Sequence, residues 1–163
     1  MPSSHRPHSH PRRLAAEGSS SLRTSLAASA PVHVTNHQTV LEIEEAAIRR
    51  WAALALGRLD RQVCEISIQI VDDATIRKVN RRYLNHDWPT DVVTFPSEEP
   101  GGPVIAGELI ISAETASRVA AELNTDPAAE LALYLVHVLL HLAGWNDQSD
   151  QERREMRRWE ARL

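Results

Sequence analysis

Ile66, Ile68 and Ile70 alternate with Ser67 and Gln69. A period of two puts alternate side chains on opposite faces, so this segment predicts a half-buried strand. Apolar runs at 32–35, 92–95 (stopped by Pro96) and 107–112 predict three more strands. Elsewhere the period becomes helical. Over about 41–56, Ala47, Ile48, Trp51, Leu54 and Ala55 form an inward stripe, while Glu42, Glu44, Glu45, Arg49 and Arg50 take the wet side. Over about 74–84, Ile76, Val79, Asn80 and Tyr83 share a side, with Asp73 as N-cap. Ser112 caps a third helix over about 113–124. Asp126 at N-cap and Pro127 at N1 launch a fourth over about 127–142. A last helix follows position 147, with Met156 and Trp159 inward and its Arg and Glu residues outward.

The order is strand, helix, strand, helix, two strands, three helices. That predicts an α+β fold: a small four-stranded mixed sheet packed with about five helices. The helix at 127–142 is central, and the strand at 92–95 crosses beside it. A polar loop at 83–91 and an acidic Gly/Pro loop at 97–106 flank that strand.

Residues 1–30 are rich in Ser, Pro, His, Arg and Ala without apolar period, and read as a disordered tail. His5, His8 and His10 can bind metal adventitiously. An Arg- and Ser-rich, acid-poor start also resembles an organelle transit peptide, and a start codon placed too early looks the same. Residues 31–163 then form a single domain, within a chain of 163 residues. The net charge is −4; the tail holds four arginines and one glutamate, +3, so the remainder carries −7. An acidic body argues against broad nucleic-acid affinity but not against a local basic groove. One cysteine, Cys64, excludes an internal disulfide and, at the start of an apolar strand, reads as a buried thiol. No apolar run approaches a membrane span.

The chemistry is concentrated in His137–Asp147, which reads H-x-x-x-H-x-x-G-x-x-D. Histidines four apart lie one turn apart on a helix, so their rings can converge on one ion. Gly144 falls where the helix needs a left-handed stop, letting the chain double back with Asp147. Two imidazoles and a carboxylate suit Zn²⁺, one ion per chain, and leave a position open for water, as catalytic sites do. The flanking Leu135, Val136, Val138, Leu139, Leu140 and Leu142 predict a buried helix. Burying two unpartnered imidazoles there costs roughly 1–3 kcal/mol each, so metal ligation outweighs idle core histidines. Metzincin proteases share the spacing but carry a glutamate base after the first histidine. Here that position is Val138, which takes no proton, and peptide hydrolysis by that route is disfavoured.

Three segments resemble the YbeY-type rRNA maturation endoribonucleases of bacteria. Asn80-Arg81-Arg82-Tyr83 running through Pro89-Thr90-Asp91-Val92-Val93-Thr94-Phe95-Pro96 is like the family's N-x-x-aromatic and P-T-D-V-L-S-F-P. Gly107–Ser112 is like its G-D-I-x-I-S. The histidine stretch is like its H-G-x-L-H-L-x-G-Y-D-H. The likeness covers about 32–160. Four positions depart from it: Val138 replaces the glycine after the first ligand, Asn146 the aspartate before the third, Asp147 the third histidine, and Leu84 an arginine after the aromatic. A carboxylate in place of imidazole adds negative charge, which weakens the metal as a Lewis acid and raises the pKa of its water. The lost arginine removes a phosphate clamp; Arg81 and Arg82 are the nearest cations.

The resemblance implies a cytoplasmic, single-strand-specific, metal-dependent endoribonuclease of late small-subunit rRNA maturation, including the 16S 3′ end, and of ribosome quality control. Its metal ligands would be His137, His141 and Asp147. Its partners would be rRNA in the small ribosomal subunit, with ribosomal proteins or assembly GTPases, and no membrane. Arg82, His86 and Asp91 are catalytic candidates, and Arg81 and Arg82 substrate-binding ones. The base is left open between the substrate phosphate, the RNA 2′-OH chemistry and an acid elsewhere. Thr90 and Asp91 also fit a plain role in ordering the turn into the strand. The alternatives are a non-catalytic small-subunit assembly factor, favoured by the acidic body and altered ligand, and a metal hydrolase of another substrate.

Overall fold

The computed structural model describes residues 32–59, 61–145 and 148–160. Among them, β1 (Val32–Asn36), α1 (Glu45–Gly57), β2 (Gln62–Val71), α2 (Asp73–Leu84), β3 (Val92–Pro96), β4 (Val104–Ser112), α3 (Ala113–Leu123), α4 (Pro127–Leu142) and α5 (Asp150–Glu160) follow in order. The sheet runs β1-β2-β4-β3, parallel at its first two junctions and antiparallel where β3 meets β4. This is the expected α+β fold with its mixed four-stranded sheet. The expectations for residues 1–30, for Asp147 and for the side chain of Trp159 fall outside the described residues.

Ile66, Ile68 and Ile70 are fully buried on the sheet face that carries the main core, with Ile105, Leu109 and Ile111 of β4. Against them pack Ile48, Ala52, Ala55 and Leu56 of α1, Ala113 and Ala116 of α3, Leu131, Leu135 and Leu139 of α4, and Met156 of α5. Val71, Ile76, Val93 and Ile110 form a smaller cluster under α2 on the opposite face. α4 touches α1, α3, α5, β3 and β4, so it is the central helix, and β3 lies beside it as expected.

Several local expectations change. β2 begins at Gln62 but skips a step: Val63 faces Ile105 while Ile66 faces Gly107, three residues against two. That is one extra residue on β2, a bulge. It breaks the alternation at Cys64, which is exposed rather than buried. α1 starts at Glu45, not 41. The Gln38 side chain accepts from the Val40 and Leu41 N–H groups, and the Glu45 carboxylate accepts from Asn36 N–H, so polar side chains hold 36–44 out of helix. Leu54 is 58% exposed, because the buried stripe runs instead through Ile48, Ala52, Ala55 and Leu56. β4 reaches back to Val104 and shortens the acidic loop. Tyr83 is exposed, and its ring packs roughly perpendicular to that of Phe95, centroids 5.2 Å apart.

Asp72, not Asp73, caps α2 by accepting from Thr75 N–H at 2.7 Å. Asp73 is released for a longer tie: its carboxylate accepts from the Ser112 hydroxyl, from Thr115 Oγ1 at 2.8 Å and from Arg118 at 3.0 Å. Partial burial pushes the Asp73 carboxyl up, but these bonds and the Arg118 charge outweigh it and hold it below the usual value. The tie joins α2 to the β4–α3 corner across 39 to 45 residues of chain.

Candidate metal centre and its clefts

α4 begins as the sequence predicts, with Asp126 accepting from Ala128 N–H at 3.0 Å and Pro127 at its first turn. It ends in a Schellman motif. Trp145 N–H reaches Leu140 O at 3.0 Å, Gly144 N–H reaches His141 O at 2.9 Å, and Gly144 takes φ +88°. That ending has a chemical consequence. It turns the Trp145 carbonyl back onto His141, 3.1 Å from Nδ1. A carbonyl only accepts, so Nδ1 carries the proton and the neutral ring keeps its lone pair at Nε2. This is the carbonyl–histidine support usual behind metal ligands.

His137 Nε2 stands 3.0 Å from His141 Nε2, with the rings nearly perpendicular at 82°. The helix spacing therefore does bring the two imidazoles to one point. α4 is not buried all round, however. Val138 and Leu140 lie in the core, but Tyr134, His137 and His141 are half-buried and Leu133 is exposed along an open stripe. Val138 is 2% exposed, so the position next to the first histidine faces the core and not the reacting side.

Two clefts flank the pair. The first, about 280 Å³, is lined by Asp91, Tyr134, His137, Met156, Arg153 and Arg157 among others. The second, about 420 Å³, has Thr94, Pro96, Pro100, His141, Leu142 and Trp145 in its wall. In the first cleft, partial burial raises the Tyr134 hydroxyl to about 12, helped by the charges of Glu130 and Asp91 and a hydrogen bond to Glu130. The Tyr134 hydroxyl stays protonated and donates its one hydrogen bond to Glu130.

The loop candidates separate here. Asp91 lines the first cleft, while its Oδ1 accepts from Val92 N–H at 2.8 Å and from the Thr90 hydroxyl at 2.9 Å. It thus orders the turn and borders the site at once. His86 stacks on Trp88, centroids 4.5 Å apart, and lines neither cleft. Arg81 and Arg82 belong to α2, which packs on the sheet face opposite the main core; Arg82 lies over the Tyr83 ring at 5.4 Å. Neither arginine lines either cleft. Arg153 and Arg157 of α5, exposed as their sequence pattern predicts, do line the first cleft. Their i,i+4 spacing beside the inward Met156 was the available signal.

The arrangement offers two imidazole nitrogens to one borderline divalent cation. Among the described residues no group of three His, Cys, Asp or Glu side chains is placed to hold a metal, and Asp147 lies outside them. No helix among the described residues is long and apolar enough to cross a membrane.

A family model described as Endoribonuclease YbeY matches residues 33–163. A protein named Endoribonuclease YbeY from Rhodopirellula baltica is 47% identical over 122 residues, covering 73% of this chain and 59% of that protein. This chain thus spans less than two thirds of that relative's length. A namesake from Aquifex aeolicus is 39% identical, over 68% of this chain and 75% of its own. One from Syntrophotalea carbinolica is 36% identical, over 80% and 89%. A solution structure from Thermotoga maritima superposes with a TM-score of 0.55 at 23% identity, over 80% of this chain and 85% of that one, a likeness of fold. With the family model matched over residues 33–163, the chain belongs to the Endoribonuclease YbeY family.

Proposed function

We propose that this chain is a single-strand-specific endoribonuclease of late small-subunit rRNA maturation, acting at the 16S 3′ end and in ribosome quality control in the cytoplasm. We further propose that it holds one Zn²⁺ through His137, His141 and Asp147. The observation that carries the reading is the convergence of His137 Nε2 and His141 Nε2 at 3.0 Å. Nitrogens bound to one tetrahedral Zn²⁺ at about 2.0–2.1 Å stand roughly 3.3 Å apart, so the pair fits with a shift of a few tenths of an ångström. The names of the relatives, each an endoribonuclease, support the same substrate class.

Held by His137, His141 and Asp147, the cation would supply Lewis acidity toward a phosphodiester. The chain's own groups do the rest. The Trp145 carbonyl fixes the His141 ring with Nε2 presented. Tyr134, its hydroxyl tied to Glu130, and Asp91 border the cleft beside His137. On the His141 side, Trp145, Pro96 and Pro100 offer apolar surface for an unstacked base, which only a single strand can supply. The core placement of Val138 argues against a protease in the same frame. Partners on this reading are the small ribosomal subunit, with its proteins or assembly GTPases.

The test is cleavage of single-stranded RNA by purified protein, before and after chelation. Activity should disappear on metal removal, return with Zn²⁺, and be absent in His137→Ala. Cleavage that survives stripping rejects the metal mechanism. Co-sedimentation with small-subunit particles that survives His137→Ala, without cleavage by the wild type, would favour an assembly factor.

A further inference from the structure

A polyanionic substrate meets a difficulty on this molecule. Outside residues 1–30 the chain carries −7, and the cleft beside His137 holds Asp91 as well. Attraction to a phosphodiester backbone must be local. Arg153 and Arg157 are the arginines in the walls of the two clefts. They lie one turn apart on α5, whose Met156 is buried at 2% exposure against the main core. That anchor sets the helix against α4, so both arginines border the cavity that His137 and Tyr134 also line. Asp150 is among the partners of Arg153, and the two side chains are exposed; an exposed pair of that kind is weak enough for phosphate to compete with it.

We infer that Arg153 and Arg157 are a backbone grip for single-stranded RNA, binding phosphodiester oxygens on the His137 side of the paired imidazoles. The inference rests on the endoribonuclease reading and names the residues that would hold its substrate. Guanidinium groups suit the task, because their fork matches two phosphate oxygens. Both arginines stand on α5, on the sheet face opposite the helix that carries Arg81 and Arg82. Arg153 and Arg157 are here binding residues: they hold RNA in the ground state and leave the chemical step to the groups around His137.

The experiment measures affinity of the full chain for a non-cleavable 2′-O-methyl RNA single strand across salt concentrations, with kcat and KM on the cleavable strand. Each phosphate neutralised on a single strand contributes about −0.7 to the slope of log K against log salt. Arg153→Gln with Arg157→Gln should flatten that slope by about 1.4, weaken binding roughly tenfold, and raise KM far more than it lowers kcat. Arg153→Lys with Arg157→Lys should keep most of the slope, since the point charges remain. Arg154→Gln with Arg158→Gln removes the same charge from residues outside the cleft and should stay within about twofold of wild type. If the cleft pair and this control pair lose affinity equally, or if the cleft pair loses none, the grip is refuted while wild-type cleavage leaves the parent reading standing. If the wild type neither binds nor cuts single-stranded RNA, both fall.

Discussion

Gly144 meets Gly101 backbone to backbone. A Cβ at Gly144 would stand 2.3 Å from the Gly101 Cα and 2.8 Å from its nitrogen, and the two residues take φ +88° and +82°. Gly101 N–H also points at Leu142 O, 3.4 Å away. The β3–β4 turn is thus pressed onto the end of the helix that presents the histidines. Gly144→Ala combines a left-handed backbone, worth roughly 1–3 kcal/mol, with an overlap that one of the two segments must move to relieve. Gly57 has no neighbour in the space a Cβ would fill, so Gly57→Ala should be neutral or stabilising by up to about 1 kcal/mol. Urea midpoints of the two variants make the comparison; equal midpoints would show that the glycine contact does not matter.

This junction also shows what a one-dimensional pattern can and cannot carry. The Asp126-Pro127 start, the Gly144 stop and the four-residue spacing of His137 and His141 are local, set by backbone geometry within a few residues, and all three were legible. The alternation at Ile66, Ile68 and Ile70 was legible for the same reason. The bulge that exposes Cys64 was not, because it depends on register with β4, some forty residues later. α1 begins at Glu45 rather than near 41 because the Gln38 side chain accepts from Val40 and Leu41 N–H and the Glu45 carboxylate from Asn36 N–H, which fixes 36–44 as a turn. Asp72 and Asp73 are equally plausible caps by composition; the distant hydroxyls of Ser112 and Thr115 decide between them. The cleft is the extreme case, since Asp91, His137 and Arg157 meet only through tertiary packing.

Asp73 makes an acid-sensitive prediction. Its folded-state carboxyl is held below the usual 3.8. A depressed carboxyl contributes stability that is present above the unfolded value and is lost as pH falls through the folded value. Asp73→Asn should therefore cost roughly 1–3 kcal/mol at pH 7, the scale of a charge-assisted hydrogen-bond set left partly unmade. The difference from wild type should shrink once pH drops below 3.8. Chemical denaturation at neutral and acid pH measures both. A difference that grows in acid contradicts the sign.

Val138 separates this site from the protease pattern with the same histidine spacing. Supplying the absent glutamate should not create a peptidase, because the side chain at 138 faces the core. Val138→Glu should instead place a carboxyl among apolar groups, at a cost of several kcal/mol. A lowered thermal midpoint with no peptide hydrolysis is the expected outcome. A stable variant that cleaves peptides would mean that position 138 reaches the reacting side.

Zinc binding should appear first as stability. A ligand that binds only the folded chain adds about 2.7 kcal/mol at a hundredfold excess over its dissociation constant. The paired Nε2 atoms of His137 and His141 exist only once α4 and its Schellman ending have formed, so zinc bound there must raise the thermal midpoint. Zinc held by His5, His8 and His10 equally in folded and unfolded chains would raise nothing. His137→Gln should therefore abolish the shift between chelated and zinc-loaded protein. Asp147→His should preserve it and, by removing a negative charge from the proposed ligand set, increase RNA cleavage. An undiminished zinc shift in His137→Gln would place the ion elsewhere on the chain and remove the basis for assigning the site to α4.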